Sequence, residues 1–414
     1  MKPYHLRGVI FVLFSVSLLI SCGSGGGGGM TAGGGIGGSG IISQGAVSAF
    51  GSIVVNGTEF DTSNAAIIVN GVEMGVGDEI VQDNLDVGRV VTVEGRINTD
   101  ESAVADRVVY STNVNGPVES VNATDPITNE KEIVVLGQTV VVNFITKFEP
   151  DTIGFDTIAE DDVIEVSGYR DFDGKIRATF IEKTGEFISG SIVEVTGLIK
   201  NLNSSLETFE INGLTVNYAL IANDLPEGIP ADDLFVEVQG TLDTPEGEMI
   251  ANEIELGDEL DGEDGDEFEI MGFVTEIISD LNIIKFKVGN QVVHVDPDSA
   301  VFVDGFPDDI AAGQKLEAEG SLEGGILFAW EIEFWKPDQI EVEGIVDWVV
   351  FIDDFPEFTF EEREDQRFQT NNETEFEDVE PDEIEAGMEL EVKGVPQDIE
   401  QSVVKADKVS FEIE

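Results

Sequence analysis

The sequence predicts an all-β chain, a tandem array of five small closed barrels. Three observations carry that prediction. An apolar-x-Gly step recurs at Val93-Glu94-Gly95, Val166-Ser167-Gly168, Val238-Gln239-Gly240, Ala318-Glu319-Gly320 and Val392-Lys393-Gly394, its glycines 73, 72, 80 and 74 residues apart. About ten residues after each step comes Ala-x-x-(Val/Ile), at Ala105/Val108, Ala178/Ile181, Ala251/Ile254, Ala329/Ile332 and Ala406/Val409. Between these anchors hydrophobicity alternates with period two, which is the strand period. A repeated unit of this length is one supersecondary module, so the repeat outweighs any local motif.

The chain opens differently. Lys2, His5 and Arg7 precede a 13-residue apolar run from Gly8 to Ile20. A spanning helix needs about 20 residues, so this run reads as the core of a signal peptide covering residues 1–21. It ends in Leu19-Ile20-Ser21-Cys22, which resembles the bacterial lipobox. That resemblance implies diacylglycerol on the Cys22 thiol, cleavage before it and acylation of the new N-terminus. Cys22 is the single cysteine. The expected address is the bacterial cell envelope, lipid-anchored in a membrane; Gly23 rather than Asp after the cysteine favours the outer membrane.

Residues 22–40 follow as a tether. Positions 23–40 hold 12 glycines in 18, too few side chains to pack, with a reach of roughly 25 Å. The modules are expected at 41–115, 116–189, 190–256, 269–338 and 339–414, with an acidic linker at 257–268. In the first, Ser52 to Val55 runs into Asn56-Gly57, a type I′ hairpin signal, and Thr58 to Phe60 leads out. Ile67 to Val69 reads as a strand and Leu85-Asp86-Val87-Gly88 as a short helical turn. Val90 to Val93 and Val104 to Tyr110 complete the unit. Five short strands broken once between the third and fourth suit an OB-like barrel.

The stretch Ala49-Phe50-Gly51-Ser52-Ile53-Val54-Val55-Asn56-Gly57-Thr58-Glu59-Phe60-Asp61-Thr62 resembles the signature of a bacterial lipoprotein family catalogued as domain of unknown function 5666. The resemblance extends over residues 41–414. Module five lacks the Asn-Gly, and modules three to five lack the Gly-Ser before the hairpin. The family implies no activity and no catalytic residues.

Charge sets the exclusions. With 85 acidic against 21 basic residues the formal net charge is −64. A basic surface, which phosphate binding needs, is missing, so neither nucleic acid nor an anionic lipid face is an expected partner. Once the leader is removed, His294 is the one histidine; a module-wide triad or a Cys/His zinc site cannot be built from it. Acidic pairs are so abundant that none marks a glycosidase.

Two groups stand out as candidate sites. Asp258, Asp261, Asp264 and Asp266 lie in the densest acidic run, Gly257 to Glu269, and hard oxygen ligands on a Gly-rich loop suit Ca²⁺. The spacing does not match an EF-hand loop, and a solvated linker is the plainer account. On Leu327 to Trp335, strict alternation puts Phe328, Trp330, Ile332 and Phe334 on the core face and turns Trp335 outward with Glu331 and Glu333. There Trp335 would offer a carbohydrate-stacking surface, against the alternative that it packs between modules four and five. The expected function is a lipid-anchored extracytoplasmic binding or structural repeat protein, not an enzyme, whose partner is an envelope protein, a glycan or a divalent cation. An envelope glycan hydrolase and a Ca²⁺-binding surface protein are the rival expectations.

Overall fold

The computed structural model describes residues 39–411 apart from positions 51, 99–101, 127, 151, 224, 226–228, 258–264, 279–282, 362, 378 and 398–401. Cys22, most of the tether, and Asp258, Asp261 and Asp264 lie outside the described residues.

Each module is a five-stranded barrel built in one order. In module one the opening strand, Ser39–Phe50, pairs antiparallel with both Ile53–Val55 and Val90–Ile97. Ile53–Val55 forms a hairpin with Thr58–Asp61 across Asn56 and Gly57, whose φ of 50° and 74° are those of a type I′ turn. Thr58–Asp61 pairs parallel with the closing strand Ala103–Tyr110, which pairs antiparallel with Val90–Ile97 and completes the ring. The same circuit, with its third strand parallel to the closing strand, recurs at Val140↔Ile176, Val216↔Met249, Val292↔Ile326 and Arg367↔Val403. This is the OB-like order expected from the sequence. Module five turns its hairpin at Asp353-Asp354, φ 51° and 71°, without the Asn-Gly of module one.

The repeated anchors meet in space. The ladder between fourth and closing strands shifts register at Gly95, Gly168, Gly240, Gly320 and Gly394, and each glycine is the register partner of the anchor alanine: Ala105, Ala178, Ala251, Ala329 and Ala406. One extra residue on the closing strand is accommodated there as a β-bulge. Only glycine fits: a Cβ at Gly168 would lie 2.2 Å from the Arg177 carbonyl oxygen, and one at Gly320 would lie 2.2 Å from that of Phe328. The bulge swings the Val/Ile anchor back into the core, where Val108, Ile181, Ile332 and Val409 are fully buried.

Several elements differ from their sequence reading. The helix of module one is Asp78–Asn84, ahead of the expected turn at Leu85 to Gly88; Val81 and Leu85 are its buried contacts. Ala66–Val69 does not stand alone but turns at Asn70-Gly71 into Val72–Val76. The opening strand of module four begins at Glu267, and Phe268 is fully buried, so 267 and 268 belong to the barrel and not to the linker. Ser39 and Gly40 likewise belong to the first strand.

The array folds back on itself. Ile41–Gln44 of module one pairs parallel with Glu267–Ile270 of module four, fusing two barrels that are more than 220 residues apart. Modules two and three join through Val114↔Val195 and Asn115↔Glu194 and share one hydrophobic core. Modules one, four and five each have their own core. Tyr169 of module two accepts the Ala46 N–H at 2.8 Å, and Asn143 donates to Asp338 at 2.6 Å, tying module two to one and to the segment between four and five.

Candidate functional site between modules four and five

A cleft of about 630 Å³ opens where module four meets module five. Gln314, just before the fourth strand Lys315–Glu323, and Phe334 and Trp335, at the end of the closing strand Ile326–Trp335, build one wall, with Lys315 the register partner of Trp335 behind it. Asp304 and Gly305 add an edge, and Phe334 packs so closely that a Cβ at Gly305 would lie 2.3 Å from its ring. The connector supplies Lys336 and Gln339; module five supplies Glu375, Asp407 and Lys408.

These side chains hold one another. Asp407 accepts from Lys336 at 2.5 Å and from Gln339 at 3.1 Å. Burial works against the Lys408 ammonium, but its bond to Glu377 at 2.6 Å and nearby Asp304 keep its pKa above the usual lysine value. Burial pulls Lys315 down to about 8 against the opposing pull of Asp338, Glu317 and Glu341.

Trp335 lies on the outer face with Glu331 and Glu333, as alternation predicts, but it is not an open platform. It is 4% exposed. The Lys315 and Lys393 ammonium groups stand 5.1 and 4.6 Å from its ring centroid, so cations occupy the ring where a sugar would have to stack. It packs between modules four and five. Its indole Nε1 is buried with no hydrogen-bond partner, a costly state for a donor. The bulge at Gly320 inverts the alternation on its near side only: Leu327 and Ala329 are inward and Phe328 and Trp330, expected in the core, are 40% and 43% exposed, whereas beyond it Ile332 and Phe334 face the core as expected and Trp335 is covered by module five.

Asp266 is the one residue of the acidic run's candidate ligands that the structure describes. It leads into the opening strand of module four, its carbonyl accepting from the Leu322 N–H at 3.0 Å. Its carboxylate packs where a Cβ on Gly40 of module one would fall. Among the described residues, no group of three or more His, Cys, Asp or Glu side chains is arranged to hold a metal ion.

Sequence reasoning missed the cleft because Lys336, Gln339, Glu375 and Asp407 converge only through the docking of two modules. Donors and acceptors of both signs, around a buried indole N–H, suit a polar, uncharged or zwitterionic ligand.

Comparison with known protein families matches the same model five times, at residues 39–109, 115–182, 196–255, 271–333 and 343–410. The model is that of a domain of unknown function, DUF5666. The chain belongs to the DUF5666 family. Each match begins within the opening strand or just before it, and ends in the closing strand of one barrel, so a DUF5666 unit in this chain is one barrel. A search of the curated proteins found no match.

Proposed function

We propose that this DUF5666 chain is a lipid-anchored binding protein of the bacterial envelope, held through Cys22, with the cleft between modules four and five as its ligand site. The observation that carries the reading is the cleft itself, a seam between two modules lined by lysines, carboxylates and amides. The preferred ligand is an envelope glycan, whose hydroxyls both donate and accept. Support for binding over catalysis comes from the pairing of Asp407 with Lys336 and Gln339, which commits that carboxylate to holding the wall together.

Three measurements test it. Cys22→Ser is expected to abolish lipid labelling and release the chain from membranes; unchanged membrane association would end the anchor reading. Titration of the mature chain with soluble peptidoglycan fragments is expected to change Trp fluorescence, and Lys336→Ala with Gln339→Ala to weaken binding at least tenfold. Recovery of cleaved fragments from that mixture would instead favour the hydrolase.

A further inference from the structure

The chain recognises its own modules by one repeated device, a cation seated on an aromatic ring between carboxylates. Arg89 of module one, 4% exposed, pairs with Glu165 and Glu182 of module two. Its guanidinium carbon lies 4.7 Å from the Tyr110 ring centroid and 4.6 Å from that of Phe180. Lys393 of module five pairs with Glu333 of module four over Trp335. Arg177 of module two pairs with Glu130 and Asp171 and lies 5.5 Å from the Phe273 ring centroid of module four.

The positions are homologous. Glu165 and Glu182 are register partners three residues before Gly168, and Glu317 and Glu333 are register partners three residues before Gly320. In modules two and four the outer face of the fourth and closing strand pair is thus the surface on which a cation from another module lands.

Module four has a further arrangement of this kind, beside the bulge. Glu319 and Glu331 are register partners one residue before Gly320, and Trp330 stands in the bulge between Ala329 and Glu331. The Trp330 indole donates to Glu319, and Glu267 lies against Glu319 from the opening strand. Phe328 extends the aromatic surface, with the His294 ring edge-on at 5.2 Å. Among the described residues, no lysine or arginine forms an ion pair with Glu267, Glu319 or Glu331. Trp330 and Phe328 remain exposed.

We propose that the Trp330, Phe328, Glu319 and Glu331 surface is a docking site for a lysine or arginine of a basic partner protein, taken up as Arg89 and Lys393 are taken up inside the chain. Charge selects the occupant: a chain of net −64 repels acidic partners and concentrates basic ones. The exposed ring then distinguishes this site from general attraction, because a guanidinium over indole gains energy that a scattered carboxylate does not give.

The test uses the mature full-length chain and the peptide acetyl-Gly-Arg-Gly-amide, followed by NMR shifts of the tryptophan indole N–H signals at 0.15 M NaCl. The Trp330 signal is expected to move, and Trp330→Ala to weaken binding about two- to fivefold. Glu331→Gln is expected to weaken it further, and Glu319→Gln to do so only above the value near 8 to which burial and Glu267 push that carboxyl. Trp348→Ala, which removes another exposed indole, and Glu253→Gln with Glu255→Gln, which remove the same charge elsewhere, are expected to leave it unchanged. Equal weakening by the Glu253/Glu255 variant, or no effect of Trp330→Ala, would overturn the site. Spermidine binding as tightly as an Arg-containing peptide of equal charge would overturn the polypeptide partner.

Discussion

Module one meets its neighbours through two seams that bury acid in different ways. At the seam with module two, Glu165 and Glu182 face the Arg89 guanidinium, and Tyr110 adds a hydrogen bond to Glu165 at 2.8 Å. At the seam with module four, Glu269 faces Glu317 and accepts from Ser43 at 2.8 Å, with Glu267 and Glu319 close by. Burial, and then the neighbouring carboxylates, pushes Glu269 up to about 7 and Glu319 up to about 8, and pushes Glu317 up in the same direction. Arginine stays charged at any working pH. One seam is therefore neutralised by a permanent cation and the other by protons, although both use the outer face of a fourth strand.

The comparison breaks most sharply at Arg89. Arg89→Met leaves Glu165 and Glu182 buried without their cation, and is expected to cost about 3–5 kcal/mol in chemical denaturation. A loss under about 1 kcal/mol would show that the seam contributes little.

The proton-neutralised seam is expected to respond to pH instead. Because Glu269 and Glu319 have folded pKa values above the ordinary 4.5, the folded chain holds protons that the unfolded chain releases. Their stabilising effect is fully present below about pH 4.5 and is lost as pH rises through 7 to 8, on the order of 3 kcal/mol. Lys315, lowered to about 8, acts in the opposite sense only above that value. Melting temperature should fall from pH 5 to 8, and Glu269→Gln should flatten the fall. An unchanged slope in that variant would sink the assignment.

Gly168→Ala comes next. The backbone oxygen of Arg177 cannot yield to a Cβ at 2.2 Å without moving the closing strand, and the expected cost is about 1–3 kcal/mol. The smallest effect is at Ser43→Ala, which removes one hydrogen bond to Glu269 and is expected to cost about 1 kcal/mol. Since that bond favours the charged carboxylate, its removal should move the pH midpoint upward.

Much of the barrel was legible because its constraints are local. The anchor glycines and alanines were visible as a repeat, and Asn56-Gly57 as a turn, since each is dictated by backbone geometry within a few residues. The spacing of three between Ala329 and Ile332 also held a signal. Two core residues at an odd separation on a strand require a bulge, and reading it would have placed Phe328 and Trp330 outside; Trp335 stays on the outer face and is buried only by the docking of module five. The cleft and the seams were not legible. Asp407 reaches Gln339, and Ser43 reaches Glu269, across module contacts that alternation within one module does not encode.

The parallel pairing of residues 41–44 with 267–270 sets an order in time. Synthesis runs from the N-terminus, so the first barrel is complete some 160 residues before its partner strand exists. Throughout that interval its opening strand presents unpaired N–H and C=O groups, a template for any other strand. The edge is closed last, by a contact of long sequence separation that forms slowly. Growing chains crowded on one message are thus most prone to join edge to edge at residues 41–44, and a prematurely ended chain lacking module four keeps that edge open.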